Sequence, residues 1–123
     1  MKKTIIMLGV LLFVIIAATA QAATYYVSSS GSDSNPGTLT SPWKTIGKAN
    51  STLQAGDTVY IRVGTYSGDY VNPSRSGTSD TNRITYSNYN NEKVTVKDAS
   101  YGVRINGKSY ITVNGISFYN LVL

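Results

Sequence analysis

Five short segments in the second half of the chain share one pattern. Ile84-Thr85-Tyr86, Val94-Thr95-Val96, Val103-Arg104-Ile105, Ile111-Thr112-Val113 and Ile116-Ser117-Phe118 each set a polar residue between two apolar ones. Such alternation turns one face of an extended chain toward an apolar interior and the other toward water. "AGDTVYIRVGTY", residues 55–66, alternates in the same way, with Val59, Ile61 and Val63 inward and Tyr60 and Arg62 outward. "TYYVS", residues 24–28, reads as a first strand. Between these strands, "SPWKTIGKANSTL" predicts one short helix, with Ser41 as its N-cap and Pro42 at its first position. That helix presents Trp43, Ile46 and Leu53 on one apolar face. "GSDSNPGT" before it is a turn-rich loop, and residues 67–83 form a polar excursion from the body of the fold.

Strands this short have two homes. One is an antiparallel meander, for which Asn114-Gly115 supplies the residue pair favoured in two-residue hairpins. An antiparallel sandwich of adhesin type is a variant of it. The other is a coil of parallel strands, in which each strand is paired above and below and brevity costs little. Ile84 to Ile111 is a step of 27 residues and Val94 to Ile116 one of 22. Both fall within the span of about 20–45 residues for one turn of a solenoid, and this recurrence favours the coil.

The first residues are of another kind. Lys2 and Lys3, the apolar run Ile5–Ile16 and the small-x-small sequence Ala20-Gln21-Ala22 have the layout of a secretory signal cleaved after Ala22. The apolar run is shorter than the roughly 20 residues that cross a bilayer. The expectation is therefore a secreted protein, extracellular, periplasmic or at the cell surface, with no membrane attachment after cleavage. Without the two lysines the formal charge falls from +5 to +3, too mild to argue for nucleic acid. Neither cysteine nor histidine is present, so disulfides, imidazole bases and most zinc sites are excluded. Few charges with many Ser, Thr, Asn, Gly and Tyr fit an all-β domain.

The ordered series "TYYVSSSGSDSNPGTLTSPWKTIGKA", "AGDTVYIRVGTY", "SGTSDTNRITYSNYNNEKVTV" and "SYITVNGISFYN" resembles the amino-terminal region of secreted right-handed parallel β-helix proteins of the pectate lyase-like superfamily. The resemblance implies three parts: a signal peptide over 1–22, an N-terminal strand, loop and capping helix over 23–56, and the first β-helix rungs over 57–123. It makes Trp43, Ile46 and Leu53 a lid over the open end of the coil. It also places Asn114 in a left-handed bend between sheets instead of a hairpin. About three rungs fit into the chain, which implies truncation at the C-terminus of a longer protein, with an open last rung through which copies would self-associate.

Family lyases need a basic side chain as general base, with calcium or cationic groups to neutralise the substrate carboxylate. The acids here are scattered and lack calcium-loop spacing, so no catalytic or metal residue and no cofactor is assigned, calcium being an expectation only for a full-length parent. Arg104, Lys97 and Lys108 are the candidate contacts to an acidic sugar chain, weighed against an ordinary solvated face. Tyr25, Tyr60, Tyr101 and Tyr110 are candidate stacking surfaces, weighed against half-buried cover. Two functions follow. One is a polysaccharide-interacting module without a complete site of its own; the other is a piece of a polysaccharide lyase or hydrolase, acting on acidic polysaccharide, whose catalytic rungs lie beyond residue 123.

Overall fold

The computed structural model describes Gly9 and residues 21–122. Its elements run β1 (Thr24–Val27), α1 (Ile46–Thr52), β2 (Thr58–Ile61), β3 (Gly64–Ser67), β4 (Ile84–Asn88), β5 (Val94–Lys97), β6 (Ile111–Asn114) and β7 (Ile116–Tyr119). The strands form two sheets, ordered β1-β2-β4-β6 and β3-β5-β7, and the pairings within both are parallel. From β2 onward the chain visits the two sheets alternately, an arrangement consistent with a β-helix.

Register explains the recurrence in the sequence. Ile84 lies opposite Ile111 and Val94 opposite Ile116, so the two steps are the chain lengths between neighbouring parallel strands. The antiparallel meander and sandwich are thereby ruled out for these strands. Asn114-Gly115 closes no hairpin, because β6 and β7 belong to different sheets.

Inward residues stack in columns along the ladders. Tyr25, Val59, Tyr86 and Val113 share one column, and Tyr66 and Val96 begin another in the second sheet. Val27, Ile61, Ile84, Val94 and Val96 are sealed from solvent. Each such Val or Ile contributes about 1.5–3 kcal/mol of hydrophobic stabilisation relative to exposure. A third wall comes from a single parallel bridge between Val71 and Val103.

Four local expectations are corrected. The helix begins at Ile46, with Thr45 as N-cap, and not at Pro42. Trp43 instead bridges Val27: its N–H donates to Tyr26 O at 2.9 Å and its carbonyl accepts from Ser28 N at 2.8 Å. A residue whose backbone is taken by a neighbouring strand cannot also enter a helix, so pairing overrides the local Ser-Pro signal. Val63 is 56% exposed, because β2 ends at Ile61 and the chain bends at Gly64 into the second sheet. Val103-Arg104-Ile105 is a bridge and not a strand: among the described residues Val103 pairs with Val71 alone, and Ile105 is exposed.

The fourth correction concerns Asn114. The left-handed residue at that bend is Gly115, at φ 68°, while Asn114 ends β6 outside the left-handed region. A Cβ at position 115 would overlap Oδ1 of Asn88, so the position needs both glycine's backbone freedom and its lack of a side chain.

The excursion over 67–83 is tied down rather than free. Val71 is sealed in the core, Ser74 N donates to Asn50 O at 3.0 Å, and Asn72 N donates to Asn50 Oδ1 at 3.0 Å. The signal-sequence reading lies, apart from Gly9, Gln21 and Ala22, outside the described residues. Among the described residues no helix is long and apolar enough to cross a membrane.

Candidate functional site

Two surface features gather chemistry. The first is aromatic. Register sets Tyr26 opposite Tyr60 on the outer face of the first sheet, and Tyr89 reaches them from the turn after β4, its N–H bonded to Ile61 O at 2.9 Å. Ring centroids lie 5.9 Å apart for Tyr26–Tyr60, 5.7 Å for Tyr26–Tyr89 and 6.0 Å for Tyr60–Tyr89, the last two meeting edge to face. These are favourable aromatic geometries. The Arg62 guanidinium lies 4.8 Å from the Tyr89 ring centre and donates to Glu92 from Nε and Nη2 at 3.1–3.2 Å. The Arg62 hydrogen bond, then the Val63 N–H, hold the Glu92 carboxyl below its ordinary range. Thr24, Thr58, Thr85 and Thr112 form a hydroxyl row on the same face.

The second feature is an open cleft of about 470 Å³ at the β3 edge of the second sheet. It is lined by Ser29, Lys44 and Thr45 from the chain before α1 and by Thr65, Ser67 and Asp69 from β3 and the residues after it. Asp33 shapes the first wall by accepting from Lys44 N at 2.9 Å, Thr45 N at 3.0 Å and Thr45 Oγ1 at 2.8 Å. Burial pulls its carboxyl upward, but the Thr45 and Lys44 bonds outweigh this and hold it low. Asp69 accepts from Ile46 N at 2.6 Å, Gly47 N at 3.0 Å and Tyr70 N at 3.1 Å, serving the free N–H groups of α1 from 22 residues away or more. Burial is the stronger influence there and raises its carboxyl. Tyr66 donates its hydroxyl to Arg62 O at 2.9 Å, and burial pushes its phenol up to about 12.

The basic residues singled out in sequence each have their own local surroundings. Lys97 lies on the outer side of β5 and pairs with Asp98 at 3.4 Å; Arg104 lies 5.0 Å from the Tyr101 ring centre; Lys108 lies in the loop before β6. No ion pair or hydrogen bond joins the three among the described residues. Of the four tyrosines, Tyr60 joins the aromatic cluster, whereas Tyr25 turns inward and stacks on Trp43 at 4.5 Å. Tyr101 and Tyr110 are exposed elsewhere. Tyr26 and Tyr89 were missed. The doubled Tyr25-Tyr26 signalled one ring in and one out, but only the register reveals that Tyr26 faces Tyr60. Trp43, Ile46 and Leu53 are buried, and Trp43 Nε1 donates to Asn35 O at 2.9 Å.

Apart from Asp33 and Asp69, which lie near each other beside the cleft, the carboxylates have separate partners. Asp57 caps Gln54 N and Ala23 N, Asp80 pairs with Arg83, and Asp98 bonds Lys97 and Asn120. Among the described residues no group of three or more acids comes close enough to hold a metal ion.

Comparison with known proteins agrees with this architecture. A family model described as "Pel9A-like, right handed beta helix region" matches residues 25–122. The uncharacterized protein YwoF of Bacillus subtilis (strain 168) is 38% identical over 104 residues, covering 78% of this chain and 22% of YwoF. XylC, solved in complex with xylose, is 44% identical over 60% of this chain and 11% of its own, with a TM-score of 0.58. A rhamnogalacturonan lyase is 26% identical over 81% of this chain and 28% of its own, at 0.51. A GH136 lacto-N-biosidase from Eubacterium ramulus, 22% identical over 80% of this chain and 20% of its own at 0.64, shares the fold. The chain thus spans about a fifth of the length of its curated relative.

Proposed function

The chain belongs to the Pel9A-like right-handed β-helix family, and from that premise we propose that it is the front part of a secreted parallel β-helix protein that binds polysaccharide, without a complete catalytic site in residues 23–123. The outward Tyr26–Tyr60–Tyr89 cluster carries the reading. Aromatic faces on a rigid sheet suit sugar rings, whose C–H surfaces are apolar while their hydroxyls need polar neighbours, and the threonine row supplies those neighbours. Similar proteins solved with xylose or named as a rhamnogalacturonan lyase point to the same substrate class. In this reading α1, with Trp43, Ile46 and Leu53, closes the β1 end of a solenoid. The edges of β6 and β7 receive a further rung or a second copy. Arg104, Lys97 and Lys108 add ion pairing to acidic units. Secretion is supported by the charge and hydropathy pattern of residues 1–22.

Affinity electrophoresis through arabinoxylan, rhamnogalacturonan, pectate and alginate tests it. At least one polymer retards the wild-type chain, and Tyr60→Ala with Tyr89→Ala abolishes the retardation while leaving the far-ultraviolet spectrum intact. Free migration of the wild type in all four overturns the proposal. The similarity to a rhamnogalacturonan lyase favours a second reading, in which the parent protein is a lyase and the catalytic rungs follow Leu123. Unsaturated product formed by this chain alone would contradict both readings.

A further inference from the structure

The cleft beside β3 is a different place from the tyrosine cluster, on the other sheet, and its chemistry is more specific. Its volume of about 470 Å³ suits one or two sugar rings and lies within the usual range of ligand sites, roughly 300–1,000 Å³. Ser29, Thr65 and Ser67 contribute hydroxyls that have no side-chain hydrogen-bond partner among the described residues. Asp69 is pre-aimed. Its Oδ1 takes two backbone N–H groups and its Oδ2 one, so Oδ2 retains an acceptor position, and three bonds fix the carboxylate before any ligand arrives. Lys44, an exposed residue of the same lining, has its backbone N–H bonded to Asp33. Asp69 and Lys44, the charged residues of the lining, offset each other, so no net charge attracts an anion.

We propose that this cleft binds a neutral sugar unit, with Asp69 accepting from one ring hydroxyl and Lys44 donating to its neighbour. A vicinal diol offers a donor and an acceptor side by side, and a carboxylate and an ammonium lining one cleft are their complement. A uronic acid carboxylate cannot donate to Asp69 as a ring hydroxyl does, and loses by comparison. The proposal rests on the carbohydrate reading above for its ligand class, but on none of the same residues.

Titration of the whole chain with xylobiose, cellobiose and digalacturonate, followed by amide chemical shifts, tests it. A neutral disaccharide saturably shifts the amides of Lys44, Gly47 and Ser67–Asp69. Lys44→Ala removes the donor, and Ser67→Trp fills the cleft from an exposed strand position without breaking a hydrogen bond seen in the structure; each weakens binding at least tenfold. Tyr60→Ala leaves it unchanged. Absence of saturable shifts at these amides, wild-type affinity in both cleft variants, or tighter binding of digalacturonate than of either neutral sugar overturns the proposal. A silent cleft in a protein still retarded by polysaccharide refutes this inference alone, and saturation at the cleft without polymer retardation upholds it while refuting the tyrosine face.

Discussion

Asn120 donates from Nδ2 to Oδ1 of Asp98 at 2.6 Å, and both residues hold left-handed backbone, at φ 50° and 51°. Each follows the end of its strand, β7 or β5, and Gly68, at φ 73°, occupies the equivalent place after β3. Three successive turns therefore leave the second sheet through one bend geometry, and the side chains of the last two are bonded along the stack. Asn and Asp tolerate this conformation because a short polar side chain bonds locally.

That arrangement separates backbone from side-chain effects. Asn120→Gly keeps the conformation and loses only the hydrogen bond, while Asn120→Ala loses both. The alanine variant is expected to fall below the glycine variant in urea-unfolding midpoint, the backbone share being roughly 1 kcal/mol. Equal midpoints would contradict it.

Gly115 makes the opposite case. Gly115→Ala combines left-handed strain, about 1–3 kcal/mol, with overlap on Asn88, whereas Asn114→Ala at an exposed strand end changes stability by less than about 0.5 kcal/mol. Adding Asn88→Ala to Gly115→Ala recovers part of the loss. A thermodynamic cycle by denaturant unfolding measures that coupling, and additive effects would show that the two residues do not meet.

Asn50, a residue of α1, ties the helix to the segments beside it. Its Nδ2 donates to Tyr70 O at 2.9 Å, and its Oδ1 accepts from Asn72 N at 3.0 Å and Tyr86 Oη at 3.0 Å. Tyr86→Phe removes one bond and costs about 1 kcal/mol; Asn50→Leu strands several buried partners and costs about 2–4 kcal/mol. Differential scanning calorimetry ranks them. The Asn50-Ser51-Thr52 sequence fits a glycosylation acceptor, but in the folded chain its amide is committed to these bonds.

Acid sensitivity follows from opposing carboxylates. The carboxyls of Asp33, Glu92 and Asp98 are held low in the fold, so the stability they give above the ordinary carboxylate range is lost as pH falls through their folded values. Asp69 is raised, so its ionisation opposes folding and its protonation on acidification offsets part of that loss. Below about pH 5 the unfolding midpoint therefore drops, more steeply in Asp69→Asn and less steeply in Asp33→Asn. Midpoints measured from pH 7 to pH 2 check both signs.

The chain's own order of residues determined the inward positions of Val59, Ile61, Ile84, Val94 and Val96, the 27- and 22-residue steps and the burial of Trp43, Ile46 and Leu53, since alternation and recurrence are local properties that burial then selects. Tertiary structure alone decided the rest. Thr45 rather than Ser41 opens α1 because β1 claims the backbone of Trp43. β3 hides in Gly64–Ser67, where Tyr66 is the one inward side chain, and becomes a strand because Val94–Lys97 pairs with it. Asp69 reaches Ile46, and Tyr26 faces Tyr60, only after the chain has closed a turn. Contacts between residues this far apart in sequence depend on register, and register is set by the collective packing of all the strands.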